Sequence, residues 1–434
     1  MARRPVPADT GLRDGLSSGI DEMLLAALDR PDDSQQTGRY IVTYKEGASA
    51  EGSEALRGMG MRTADARDFT DQAVSLADVG DADALVLPEI GVAIISGPAL
   101  AESSLDVDAQ IASDSPIGIV EPEYFVFSDI VAQDYLRGFR RAVEAIAGDL
   151  AAGGFAEEME EDLRPESLGV TWGLGACRVP QSKATGAGVR VAVLDTGMDL
   201  GHPDFAGRGF VTNTFVGQPV QDLHSHGTHC IGTSCGPFSP PGSTPRYGIA
   251  HRAAIFVGKV LSNSGSGATG SVLAGMNWAI ANRCAVISMS LGSQSPVQAA
   301  YTAAGQAALN NGCLIIAAAG NAGSATGSPA NSPTIMSVAS LDSNLAPSSF
   351  SNFGKVEIAA PGRDVFSSVP RPARYGTMSG TSMATPHVAG CAALWAQTDP
   401  SLRGLALRNR LIATARRLPY PASKVGAGLV QAPV

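Results

Sequence analysis

The spacing of apolar residues changes character along the chain, and each change marks a boundary. Residues 1–37 scatter Pro, Gly, Asp and Ser among short apolar groups. One stretch there, 20–28, has amphipathic helical spacing, but the segment is expected to be disordered and not to pack stably. From Arg39 strand-like and helical runs alternate: 40–44 and a run within 86–96 read as strands, 50–59 and 103–112 as helices, and 117–127 as a closing strand. That order approximates a ferredoxin-like α+β domain of about 90 residues over 38–129, with one strand unread between Met59 and Val86. Leu136, Phe139, Val143, Ile146 and Leu150 then recur at threes and fours, an amphipathic helix over 130–148. Gly153-Gly154 breaks it and 157–161 is strongly acidic, so 130–168 reads as a helical and acidic linker whose charge run is a solvated face.

After Trp172-Gly173 a long α/β pattern begins. Residues 189–194, 254–261, 285–291 and 314–319 are strands of the buried type, and 269–282 and 297–310 are helices between them. Such alternation implies a mostly parallel sheet with helices on both faces, an α/β domain over 169–434. Active sites in such sheets form outside the carboxyl ends of the strands.

Composition narrows the choice of partners. With 44% hydrophobic and 17% charged residues the chain can build a large core. A net charge of −10 argues against nucleic acid as a partner, and no apolar run reaches membrane-spanning length. Arg3-Arg4 is followed by no apolar stretch of signal-peptide length, so no export signal is recognised and the compartment is left open. The six cysteines, 177, 230, 235, 284, 313 and 391, are expected to be reduced, because a large core needs no staples. The spacing of His226, His229, Cys230 and Cys235 matches no zinc pattern, so no metal ligands are assigned.

Three stretches carry the chemistry. Ser382 follows Gly380-Thr381 and precedes a helical run, 387–397, which places it where a loop turns into a helix. Unpaired N–H groups at such a start suit an oxygen that must become or face an anion. Asp195 ends the first strand of the α/β pattern, and His226, in Ser225-His-Gly-Thr-His229, opens another loop-to-helix transition. Asn321 follows the strand ending at Ala319. A serine hydroxyl needs a neutral imidazole to take its proton, a carboxylate to hold that imidazole, and donors for the oxyanion that forms. Asp195, His226 and Ser382 supply the first three groups, and Asn321 with the Ser382 N–H supplies the donors.

Asp195-Thr-Gly, His226-Gly-Thr-His and Gly380-Thr-Ser-Met-Ala-Thr-Pro-His-Val-Ala-Gly together resemble the three signatures of the subtilisin-like serine proteases over about 170–430. The resemblance implies a serine endopeptidase working through an acyl-enzyme. In it Ser382 is the nucleophile, His226 the base, Asp195 the orienting carboxylate and Asn321 the oxyanion donor. It also implies a substrate groove between Gly265-Ser266-Gly267 and Ser290-Leu291-Gly292, with Gly320 and Gly327 nearby, where extended protein or peptide substrates pair. Ala322 and Gly327 fall near the first pocket and bring no charge. No cofactor is required; the loop that gives many relatives a tight calcium site is not recognisable after Thr233, so calcium is possible but unsupported. The 38–129 domain resembles the family's propeptide, an intramolecular chaperone and inhibitor, through Tyr40-Ile-Val-Thr-Tyr44 and Val120-Glu-Pro-Glu123. An autoprocessed, self-inhibited precursor is therefore expected, cut first of all after one of residues 127–130, with the acidic linker over 153–166 as the competing site.

Overall fold

The computed structural model describes residues 16–17, 19–28, 35–103, 105, 114–128 and 169–434. The linker helix expected over 130–148 lies outside the described residues.

Two sheets organise the chain. The first begins with β1 (Gln36–Tyr44), followed by helix α2 (Ser49–Gly58), β2 (Thr63–Asp65), β3 (Ala84–Leu87), β4 (Val92–Ile95), helix α3 (Gly97–Glu102) and β5 (Ile117–Phe127). Strand order is β2-β3-β4-β1-β5, antiparallel except for the β2–β3 pair, so the four longer strands have the ferredoxin-like arrangement. The run over 86–96 is thus the second half of a hairpin, and the unread strand of the four is its first half, β3, only four residues long and buried throughout, so no alternation marks it. β2 is an additional edge strand, short and only half buried. Most of the helix expected at 103–112 lies outside the described residues; a short helix that the sequence did not announce, α3, ends just before it at Glu102. Ser96 accepts from the Ala99 N–H as its cap and Pro98 sits in the first turn, where a missing N–H costs nothing.

The expectation that 1–37 stays unpacked also fails in part. Helix α1 (Ile20–Leu28) turns Ile20, Met23, Leu24 and Ala27 inward, and they cluster with Phe125 and Phe127 of β5. Its apolar face is simply supplied with a partner that lies about a hundred residues away in sequence.

The second sheet has seven parallel strands in the order β13-β12-β11-β10-β6-β8-β7: β6 (Arg190–Asp195), β7 (Phe210–Thr214), β8 (Ala254–Lys259), β10 (Val286–Met289), β11 (Leu314–Ala318), β12 (Met336–Leu341) and β13 (Ile358–Pro361). Side chains alternate across it. Val191 and Val193 of β6 pack with α5 (His226–Cys235) and α8 (Thr381–Thr398), whereas Ala192 and Leu194 pack with α6 (Thr269–Ala281) and α7 (Ala299–Asn310). Helix α4 (Trp172–Ala176) opens this domain, a hairpin of β14 (Val365–Ser368) and β15 (Tyr375–Met378) precedes α8, and α9 (Gly404–Thr414) follows it. The strand order runs out in opposite directions on the two sides of β6, so the crevice lies at its carboxyl end. All six cysteines are buried free thiols.

One short strand joins the two sheets. β9 (Ser266–Ala268), in the α/β domain, pairs antiparallel with the end of β5 and extends the first sheet to six strands.

Candidate active site

Asp195 closes β6 at the crevice and is 1% exposed. Its Oδ1 accepts from the Thr196 N–H at 2.8 Å and lies 2.8 Å from His226 Nδ1. His226 is the first residue of α5, and Ser225 before it takes a left-handed turn, with φ 85°. A second carboxylate shapes that turn. Asp222, fully buried, accepts from the N–H groups of His224, Ser225 and Thr228 and from the Thr196 and Thr228 hydroxyls. Sequence reasoning passed over Asp222; an Asp four residues before a helix start was the available signal.

The His226 ring is pulled two ways. Burial disfavours its cation, but the Asp195 carboxylate, with help from Cys230, outweighs that and raises its pKa well above the ordinary value. His226 Nε2 has no hydrogen-bond partner, nor has Asp195 Oδ2. Cys230, one helical turn on, holds its Sγ 4.0 Å from His226 Nδ1 and 3.6 Å from the Ser382 carbonyl oxygen. Burial pushes its thiol pKa up. Asp195, His226 and Cys230 are the group of potential metal-ligating side chains brought together among the described residues. His229 and His387, by contrast, are buried against backbone carbonyls, and burial lowers them to about 3 and about 4. Both are neutral structural rings.

Ser382 is the second residue of α8 and is 2% exposed. Its Oγ donates to the Ser128 carbonyl oxygen at 3.1 Å and approaches the Ser290 carbonyl oxygen at 3.3 Å. Ser290 answers with its own hydroxyl, which donates to the Ser382 carbonyl at 2.7 Å. Asn321 stands beside the same helix start. Its Oδ1 accepts from the Thr381 N–H at 2.8 Å and the Thr381 hydroxyl at 2.9 Å, which turns the amide nitrogen the other way. A Cβ on Gly380 would come 3.2 Å from that nitrogen and 3.6 Å from the Ser382 Cβ, so the glycine keeps the space between them open.

The expected groove is occupied by the chain itself. Phe127 exchanges two backbone hydrogen bonds of 3.0 Å with Gly292, and the Ser128 N–H donates to the Gly265 carbonyl at 2.9 Å. Opposite, Phe127 and Val126 pair with Ser266 and Gly267. Gly265 needs its missing side chain twice over: φ is +79°, and a Cβ would lie 2.7 Å from Ser128 Oγ. Leu291 is fully buried beneath this wall. Gly320, φ +111°, donates its N–H to the Thr381 hydroxyl oxygen at 3.0 Å. A Cβ on Gly327 would sit 2.5 Å from the Ser293 carbonyl oxygen. His224, in the loop before α5, stands edge-on to His226 with ring centroids 6.2 Å apart. Asp204 braces a loop, taking the hydroxyls of Tyr247 and Tyr375.

Two carboxylates of β5 bridge the domains. Glu121 accepts from the N–H groups of Ala299 and Ala300 at the start of α7, and Glu123 from Gly270 N–H at the start of α6. Glu123 is fully buried and also takes the Arg39 guanidinium at 2.7 Å and the Thr37 hydroxyl.

A parallel α/β sheet with a buried Asp–His pair and a helix-start serine at its carboxyl end is the frame of a serine hydrolase. The model of the subtilase family matches residues 186–428, and the chain belongs to that family as a subtilisin-like serine endopeptidase. It is 40% identical over 297 residues to an alkaline protease of Alkalihalobacillus alcalophilus, a match spanning 67% of this chain and 75% of that one. Subtilisin Savinase of Lederbergia lenta is 42% identical over 270 residues, 61% of this chain and 97% of the relative. Among solved structures, a cold-adapted subtilisin-like serine proteinase superposes with a TM-score of 0.54 at 33% identity, over 62% of this chain and all of that one.

Proposed function

We propose that this endopeptidase is a self-inhibited precursor that cuts itself, with Asp195, His226 and Ser382 as its triad and Asn321 as an oxyanion donor. The observation that carries the reading is the placement of Ser382 Oγ 3.1 Å from the Ser128 carbonyl oxygen, at the end of a strand held from both sides. In the reaction, Ser382 Oγ turns from the Ser290 carbonyl toward His226 Nε2 and gives it the hydroxyl proton. The oxygen bonds to the carbonyl carbon, and the developing oxyanion is met by Asn321 Nδ2 and the Ser382 N–H. As the C–N bond breaks, His226 returns the proton to the leaving amine, and water then hydrolyses the ester by the same route in reverse. Every group is supplied by the chain, so no cofactor is invoked and no calcium site is assigned.

On this reading residues 38–129 are the inhibitory domain, and Ser128–Asp129 is the leading bond within the expected 127–130 window. Protein or peptide substrates then replace β5 by adding a strand in the same groove. The rival is a permanently self-blocked interaction protein. A fluorophosphonate probe on the full chain separates the two. Wild type should process itself, start its mature N-terminus near Asp129 and label at Ser382; Ser382→Ala should stay full length and unlabelled. The loss of hydrolysis should be about six orders of magnitude, for which subtilisin is itself the reference case. Failure to label at any time, or a Ser382→Ala chain that still cuts itself, would sink the proposal.

A further inference from the structure

Helix α1 contacts the occupied groove at a place that neither the reaction nor the inhibitory strand requires. Phe125 and Phe127, two residues apart on β5, share a face, and Val126 takes the other, packed with Leu261 of the enzyme wall. A strand laid in an open groove would leave that first face in water. Here both rings are 1% exposed, because Ile20, Met23, Leu24 and Ala27 cover them. The helix is also tied by polar contacts. Asp21 Oδ1 accepts from Ser264 Oγ at 2.9 Å, Ser262 Oγ at 3.2 Å and Ser266 Oγ at 3.5 Å. Its Oδ2 accepts from Gln218 Nε2 at 3.2 Å.

The donors are set for a carboxylate. The three serine oxygens lie within 3.2 Å of one another, so their hydroxyls converge on one point, and Asp21 Oδ1 stands there as an acceptor for all three. Gln218 Oε1 accepts from the Asn263 N–H at 2.9 Å, which fixes the amide so that its NH₂ points to Asp21. Behind Asn263 stands Lys259, fully buried, whose ammonium donates to Asn263 Oδ1 and the Thr196 carbonyl. Burial brings its pKa down to about 8, against the pull of Asp222, Asp195 and Asp21. Upstream of the helix, the Leu16 carbonyl accepts from Arg39 Nη1 at 3.0 Å.

We propose that Ser262, Ser264, Ser266 and Gln218 form a carboxylate-binding site at the rim of the substrate groove, and that Asp21 fills it so that α1 locks the inhibitory strand in place. This rests on the reading of β5 as that strand. A cut after Ser128 leaves α1 in one piece with the domain that carries β5, so the piece is held to the enzyme through α1 and, separately, through that domain. Either attachment keeps the other at high local concentration, so the piece leaves only when both open together. The lock therefore governs how fast activity appears and leaves the turnover of the released enzyme unchanged.

The test uses the full chain as wild type, Asp21→Ala, Asp21→Asn, Leu24→Ala and, as a control on the same helix, Leu25→Ala, whose side chain is 48% exposed. The first readout is the rate at which fluorophosphonate labelling of Ser382 appears after self-cleavage. Asp21→Ala and Leu24→Ala should each speed it by about tenfold or more, and Asp21→Asn should fall between them and wild type. Leu25→Ala should change nothing, and kcat/KM after full activation should be the same for all. The second readout, independent of processing, is hydrogen exchange at the Phe127 and Ser128 amides in a Ser382→Ala background, which should quicken in the same order. Unchanged rates in both readouts for Asp21→Ala and Leu24→Ala would overturn the lock. Acceleration by Leu24→Ala alone would overturn the carboxylate site. A wild type that never labels refutes the underlying reading of function instead, and is a separate result.

Discussion

Replacing Glu123 by alanine should loosen the N-terminal domain more than any other single change in its interface. The carboxylate is fully buried, with Arg39 at 4% exposure beside it, and it also caps the Gly270 N–H at the start of α6. Among the described residues Arg39 also donates to the Leu16 carbonyl. Removing one partner of a buried ion pair leaves an uncompensated charge and costs about 3–5 kcal/mol. Loss of the anion at a helix start adds up to about 1–2 kcal/mol in a buried geometry. Repacking and water entry at the vacated site offset part of this, so about 3–4 kcal/mol is expected, or two to three decades in the opening equilibrium at about 1.4 kcal/mol per decade. Hydrogen exchange in the Ser382→Ala chain reads that opening directly at Phe127 and Ser128, whose N–H groups are bonded across the domain boundary to Gly292 and Gly265. Arg39→Met on top of Glu123→Ala should recover part of the loss, because it removes the stranded charge. Exchange within about threefold of the parent, with no recovery in the double variant, would refute the account.

Further outcomes follow from the site. Hydrolysis should rise with pH as His226 becomes neutral, and since Asp195 lifts its pKa the midpoint should lie above about 6.5; rates highest below about pH 5 would exclude His226 as the base. The sign for stability is opposite: a raised histidine stabilises the fold below about pH 6.5, and this contribution is lost as pH climbs through the folded value, which Asp195→Asn should abolish in pH-dependent melts. A mercurial should inhibit by displacing the ring beside Cys230, at a slow rate because the thiol is buried and its pKa raised; inhibition that survives Cys230→Ala would place the effect elsewhere. A peptide library should show preference for uncharged residues before the scissile bond, given Ala322 and Gly327 near that pocket; a profile dominated by Arg or Lys would overturn this.

Long elements with one environment were legible in the sequence. Residues 269–282 and 297–310 differ from α6 and α7 by at most two residues at an end, and 117–127 coincides with β5. Elements whose burial is set by distant partners were not. β7 reads as polar because its residues are half exposed, and β2 is too short to show alternation. Helix α1 has the right spacing, but nothing local announces Phe125 and Phe127 as its partners. Asp195, His226, Asn321 and Ser382 stood out because each ends a strand or starts a helix. Asp222 acts through backbone N–H groups of a turn, and a single Asp before a helix has many ordinary explanations.

β9 is three residues long, and its partner wall across the groove pairs through Gly292. Exposed strand edges usually invite other molecules to pair, and chains that carry long flat ones aggregate. Here two short edges face each other across the width of one strand. A single extended guest satisfies both at once, and nothing is left over to recruit another. Once vacated, the slot would remain adhesive toward one peptide at a time and inert toward its own kind, so a protein built to seize unfolded chains need not precipitate with them.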